Sequence, residues 1–94
     1  MKIKTTINEL DLHPHIRSRM FQRGVRKEEI EVTLSKGWEA DDAGKGTFGK
    51  VFVFPYNDKW EGEFFKEKEV TVYYKVIDDT FILLTVKARY GQGF

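Results

Sequence analysis

Residues 70–88, VTVYYKVIDDTFILLTVKA, decide the fold class. From Val70 to Ile77 the chain alternates, with Val70, Val72, Tyr74 and Val76 on one side and Thr71, Tyr73 and Lys75 on the other, which is the period of a half-buried strand. Asp78-Asp79 is a plausible tight turn. Thr80 to Ala88 is then almost continuously apolar through Phe81, Ile82, Leu83, Leu84 and Val86, a pattern expected of a central strand covered on both faces. This hairpin is the anchor of an antiparallel sheet.

Upstream, Phe48 to Phe54 supplies another strand, closed by Pro55 and a loop through Asn57-Asp58. The nine residues EGEFFKEKE at 61–69 read as a charged extension or the ragged start of the next strand. Lys2 to Ile7 alternates and is expected to supply an edge strand. Between these lie two helical patterns. From about Asp11 to Arg23, Leu12, Ile16 and Met20 recur every four residues, with Phe21 widening the stripe and Pro14 in the first turn. Gly24 ends this helix. From about Lys27 to Lys36, Glu28 and Glu29 sit at the positive end of the helix dipole, Ile30, Thr33 and Leu34 form the inner stripe, and Gly37 follows the end. The order places helices before strands. The expected architecture is therefore α+β: two N-terminal helices packed on a three- to four-stranded antiparallel sheet, a two-layer sandwich.

The 94 residues suffice for a single domain, 1–94, with no room for a second core. Hydrophobic residues at 40 % and aromatics at 15 % argue against disorder. Cysteine is absent, which removes disulfides, thiolate metal sites and cysteine nucleophiles. The start, MKIKTTINEL, lacks the apolar core of a signal peptide, and no stretch reaches about 18 apolar residues, so the expected location is the cytoplasm, with no membrane partner. The net charge of +1 hides an asymmetry. Residues 1–27 carry seven basic against two acidic side chains, a net of +5, while residues 28–94 carry nine against thirteen, a net of −4. An anionic partner for the basic end follows from this split, with a solvated dipolar surface as the alternative.

His15, Arg19 and Arg23 are spaced by four, a rotation of about 40° per step, and so form one curving ridge on the first helix. Guanidinium forks grip phosphate oxygens bidentately and an imidazole moves a proton near neutral pH, so the ridge suits a phosphodiester. The alternative is arginines that cover apolar surface and face water. At the other end, Lys87 and Arg89 share a strand face and Tyr90 takes the other if the strand continues, and the first two are candidates to complete a cationic pocket with His15, with a solubilising, partly frayed tail over 87–94 as the alternative. Tyr73 and Lys75 share a face that can stack on a base and hold a phosphate, although cross-strand packing also explains Tyr73. Trp38 and Trp60 read as core or rim aromatics, and Phe64-Phe65 as an interface pair. His13 is turned about 200° from His15, so the two histidines and Asp11 make no metal site, and His13 reads as an exposed residue near a helix start. Gly44, Gly46 and Gly49 match a bare nucleotide-loop spacing but precede a strand, where no helix N-terminus receives a phosphate. The helix pair also has a helix-turn-helix look, but Glu28, Glu29 and Glu31 on its second helix would meet the DNA groove with carboxylates.

The stretch HPHIRSRMFQRGVRKEEIEVTLSKGWE resembles the helical half of the small prokaryotic family catalogued as domain of unknown function 4258. The matching positions are His15, Arg19, Arg23-Gly24, Glu28-Glu29-Ile30 and Gly37, and VTVYYKVIDDTFILLTV resembles the family's closing hairpin, so that the resemblance spans roughly residues 7–88. Ile16 stands where members place a small residue, and EGEFFKEKE is an insertion. That family in turn resembles RelE-like toxins and related metal-independent endoribonucleases. The resemblance implies His15 as general acid or base and Arg19, Arg23 and Arg89 as phosphate or transition-state ligands. Binding roles fall to Lys75, Tyr73, Lys87 and Tyr90. It further implies RNA as a partner, an antitoxin-like protein as another, and no cofactor or metal. A non-enzymatic protein- or nucleic-acid-binding module is the other functional class the chain admits.

Overall fold

The computed structural model describes residues 4–94, and the expected α+β sandwich is what it shows. Two helices, α1 (Pro14–Arg23) and α2 (Lys27–Lys36), precede four strands, β1 (Trp38–Glu39), β2 (Phe48–Trp60), β3 (Glu63–Ile77) and β4 (Thr80–Gly91). The strands form one antiparallel sheet in the order β1-β2-β3-β4. Both helices lie on one face, α1 over β4 and α2 over β2 and β3.

Local chemistry explains the helix limits. The α1 N-cap is His13, whose Nδ1 accepts from the Ile16 backbone N–H at 3.3 Å, and Pro14 takes the first position, where no N–H is needed. His13 is therefore half-buried rather than exposed. Its Nε2 lies 2.8 Å from the Leu83 carbonyl, so the neutral Nε2–H tautomer satisfies both contacts and ties the start of α1 to β4. The helix begins at Pro14 and not at Asp11, because Glu9–Asp11 is a separate 3-10 turn capped by Asn8. Gly24 closes α1 at φ 67°, and α2 begins with a Glu29 carboxylate that accepts from the Arg26 N–H at 2.9 Å.

The core joins Leu12, Ile16, Val25, Ile30 and Leu34 from the helical layer to Val70, Val72, Tyr74, Leu83 and Val86 from the sheet. Four further sequence expectations are corrected. Phe21 does not widen the stripe: five residues beyond Ile16 it is rotated about 140° away, and it is 89 % exposed. Residues 4–7 of the expected edge strand form no strand (1–3 lie outside the described residues); instead the Ile7 N–H is held by Glu31 at 2.8 Å, and β1 supplies the edge. β4 is an edge strand, not a central one. Tyr73 faces Thr85 while Tyr74 faces Leu83, so Leu84 is an extra bulged residue, and the apolar run reflects that shift of alternation rather than two covered faces. Finally, β2 runs on through Pro55 to Trp60, and 63–69 belong to β3. A bulge between Pro55 and Asp58, with Asn57 at φ 48°, absorbs the proline, and β1 does not reach that part of β2. The turns Glu61-Gly62 and Asp78-Asp79 both hold two residues at positive φ, the geometry of tight hairpins.

Candidate functional site

The α1 ridge is built as its spacing predicts. His15 is exposed, with its ring stacked on that of His13 at 6.0 Å, while Arg19 and Arg23 are half-buried. Arg19 donates to Gln22 at 3.0 Å. Charge pairing separates this ridge from the other arginines. Arg17 is paired with Glu9 at 2.6 Å, Arg26 approaches Glu29 at 3.8 Å, and Arg89 is held by both oxygens of Glu69 at 3.1 Å. Arg19 and Arg23 have no carboxylate partner among the described residues.

The sheet face away from the helices carries a second feature. Directly paired residues share a face, so Trp38 and Val51, Thr71 and Lys87, and Glu69 and Arg89 all line this open side. The segment after β1 folds back across it. There Asp42 accepts from the Tyr73 hydroxyl at 2.8 Å and from Lys87 Nζ at 2.7 Å, with the ammonium 5.4 Å from the Tyr73 ring. The Lys87 ammonium, then the Tyr73 hydroxyl, hold the Asp42 carboxyl below the usual range, and Asp42 in turn pushes Lys87 up. Burial pushes the Tyr73 hydroxyl up. Asp42 and Lys87 line a hollow of about 530 Å3 together with Trp38, Thr71, Glu69 and, towards the edge of β4, Arg89 and Arg23.

Of the residues singled out from sequence, Arg23, Lys87 and Arg89 meet in this hollow, with Tyr73 against its wall; His15 and Arg19 do not line it. Lys75 lies next along the Tyr73 face, opposite Ile82. Tyr90 faces the helices. Its hydroxyl donates to the Arg23 carbonyl at 2.7 Å, its ring stacks on Trp60 at 4.8 Å, and burial first, then the nearby Tyr56 hydroxyl, pushes its own hydroxyl well up. Its hydroxyl thereby ties the last residue of α1 to β4.

Sequence reading passes over Lys68. This lysine sits in the helix-facing row with Val70 and Val72, pairs with the buried Glu29 at 2.7 Å, donates to the Gly24 carbonyl, and lies near the rings of Tyr56 and Tyr90. The signal was its place two residues before Val70, in step with the inward positions. The glycine turn that follows Arg23 is thereby clamped to β3. Among the described residues no three histidine, aspartate or glutamate side chains converge as metal ligands, and no helix is long and apolar enough to cross a membrane.

No protein-family model, curated protein or solved structure matches the chain.

Proposed function

We propose that this domain interacts with RNA through the His15–Arg19–Arg23 ridge. The observation that carries the reading is the pairing pattern: of the five arginines, the two without a carboxylate partner among the described residues lie four apart behind a solvent-facing histidine. Free guanidinium groups at that spacing suit successive phosphates of a strand. The resemblance to the domain of unknown function 4258 family, and beyond it to RelE-like toxins, supports the same ligand and extends the reading to cleavage. Attack by an RNA 2′-OH on its own phosphodiester needs a proton acceptor and cationic stabilisation, roles that fall to His15 and to Arg19 and Arg23, with Arg89 behind them, and no metal takes part. Such a protein acts in the cytoplasm.

The test is incubation of the purified protein with total RNA and a defined transfer RNA in EDTA, beside His15→Ala and Arg19→Ala. Salt-sensitive retention of RNA that weakens in Arg19→Ala supports the ridge, and discrete cleavage lost in His15→Ala adds catalysis to it. A protein that neither cleaves nor retains RNA sinks the reading. A second reading, docking of an antitoxin-like protein, is favoured by Phe64, which is 56 % exposed near the β2–β3 turn.

A further inference from the structure

The segment that follows β1, residues 40–47 (ADDAGKGT), crosses the open face of the sheet and buries none of its residues. Among the described residues its side chains hydrogen-bond to the sheet through one group, the Asp42 carboxylate. That group accepts from the Tyr73 hydroxyl at 2.8 and 2.9 Å and from Lys87 Nζ at 2.7 Å. The pair stands in water, with the Asp42 and Lys87 side chains 51 % and 45 % exposed, and exposed pairs hold weakly. The carboxylate thus sits in a cradle for an oxyanion: one ammonium, one hydroxyl and an aromatic ring beside them. The cradle has cationic neighbours on both sides. Lys75, the next residue on the Tyr73 face and about 7 Å along the strand, has no carboxylate partner among the described residues. Towards β4 the hollow runs past Arg89 to Arg23, the last member of the ridge. His13 ties one end of α1 to the Leu83 carbonyl and Tyr90 ties the other end at Arg23, so α1 follows β4. No strand lies beyond β4, and the ridge therefore meets the open face round that edge.

We propose that Tyr73 and Lys87 form a phosphate site for a single RNA strand, and that Asp42 holds this site shut as a built-in substitute for the phosphate. The proposal rests on the RNA reading above. To an ammonium and a hydroxyl, a carboxylate and a phosphodiester present the same chemistry, an anionic pair of acceptor oxygens. Tyr73 adds a ring on which a base stacks, and Lys75 a cation for the neighbouring phosphate. Release of Asp42 frees the 40–47 strap without exposing any core residue. A strand already held by Arg19 and Arg23 brings its next phosphates to the cradle at high local concentration, so a weakly held carboxylate yields to them. Lys87 then exchanges one anion for another, while Asp42 passes into water. Arg89 keeps Glu69, which places the exchange at Lys87. The strap acts as a brake: every strand that spans both the ridge and the open face binds more weakly than the cations alone would allow.

The experiment is filter retention of a single-stranded RNA over a series of salt concentrations. It compares the wild-type chain with Asp42→Asn, Asp41→Asn and the double variant Asp42→Asn with Lys87→Ala. Asp41→Asn is the control, since it changes the net charge equally but makes no contact in the cradle. Asp42→Asn is expected to bind about two- to fivefold more tightly than wild type and to steepen the log–log salt slope by about 0.7, one further phosphate. Asp41→Asn leaves the slope where it was, and the double variant returns both quantities to wild type. In the 15N spectrum of wild type, the RNA moves the amides of residues 40–44, whereas inorganic phosphate at the same concentration does not. A gain that Asp41→Asn matches, or that survives the loss of Lys87, overturns the proposal. So does an equal response of residues 40–44 to inorganic phosphate. If wild type retains RNA and Asp42→Asn binds no better, the strap falls and the ridge stands; if neither protein retains RNA, both fall.

Discussion

Lys68→Met is expected to destabilise the domain more than any surface substitution. The Lys68 and Glu29 side chains are 3 % and 6 % exposed, and their 2.7 Å pair is the only contact between two fully buried charges among the described residues. Removing one partner of such a pair costs about 3–5 kcal/mol, because the other charge is left without compensation. Glu29 keeps the Arg26 N–H at 2.9 Å and the exposed Arg26 guanidinium at 3.8 Å, so the low end, about 3 kcal/mol, applies. Methionine retains most of the apolar stem, so little of that figure is lost packing. In a domain of this size it corresponds to a fall in Tm of roughly 12–24 °C. Adding Glu29→Gln removes the stranded charge and keeps a cap acceptor for Arg26, and the double variant is expected to regain at least half of the loss. Thermal melts of wild type, both single variants and the double variant complete a cycle that isolates the coupling. A Lys68→Met protein within about 1 kcal/mol of wild type, or a double variant no better than the sum of the singles, would refute the reasoning.

Four further outcomes follow from particular contacts. Asp42 is held below the usual carboxylate range by Lys87 and Tyr73, so its contribution is present above that range and lost as the pH falls through it; amide protection in residues 40–44, measured against the intrinsic exchange rate at each pH, should fall there in wild type and stay constant over that window in Asp42→Asn. Tyr90, pushed up by burial, contributes while its hydroxyl is neutral and loses that contribution above the ordinary tyrosine range; Tyr90→Phe should cost about 1 kcal/mol at neutral pH, read by urea denaturation, and leave the Trp60 stack intact. Gly24→Ala meets both a left-handed backbone and the Trp60 ring 2.5 Å from the new carbon, whereas Gly62→Ala meets the same kind of backbone in open space, so in paired melts the first should lose clearly more than the second, which loses about 1 kcal/mol. Arg19→Ala and Arg23→Ala should each flatten the salt dependence of single-stranded RNA retention by about 0.7 in log–log slope.

The helices were legible because their signals are local. The span 27–36, with acidic residues first and Lys36 last, needs nothing beyond periodicity and the dipole, and the structure returns the same limits. The sheet was legible in class but not in extent. Strand signals rest on an apolar inner row, and from Glu67 back to Glu63 the residues of β3 are exposed or half-buried, so that stretch carries charge although its backbone pairs with β2 on both sides of the Pro55–Asp58 bulge. Lys68 is hidden for a related reason. Its charge reads as solvent-facing until Glu29, 39 residues earlier, is seen to meet it. The ridge could be read from spacing alone, and Lys87 and Arg89 could be placed on one strand face. That their face points away from His15 depends on the side of the sheet on which the helices pack, Glu69 meets Arg89 through the bulged β3–β4 register, and Asp42 reaches Lys87 only because the residues after β1 fold back over the sheet, none of which a local pattern encodes.

The division between paired and unpaired cations also decides which substitutions can report on function. Substituting Lys87 or Arg89 frees Asp42 or Glu69, so a loss of RNA binding there mixes a missing contact with a newly exposed carboxylate and a loosened 40–44 segment. Lys68 is worse, since its loss threatens the fold. Arg19 and Arg23 release no carboxylate, and truncating a side chain on the rim of a helix changes stability by about 0.5 kcal/mol or less. His15 is similar, with a stacked neighbour but no hydrogen bond among the described residues. The fold therefore draws little on the three residues to which the function is assigned. A binding defect in a ridge variant whose melt is unchanged has one physical source, the ridge itself.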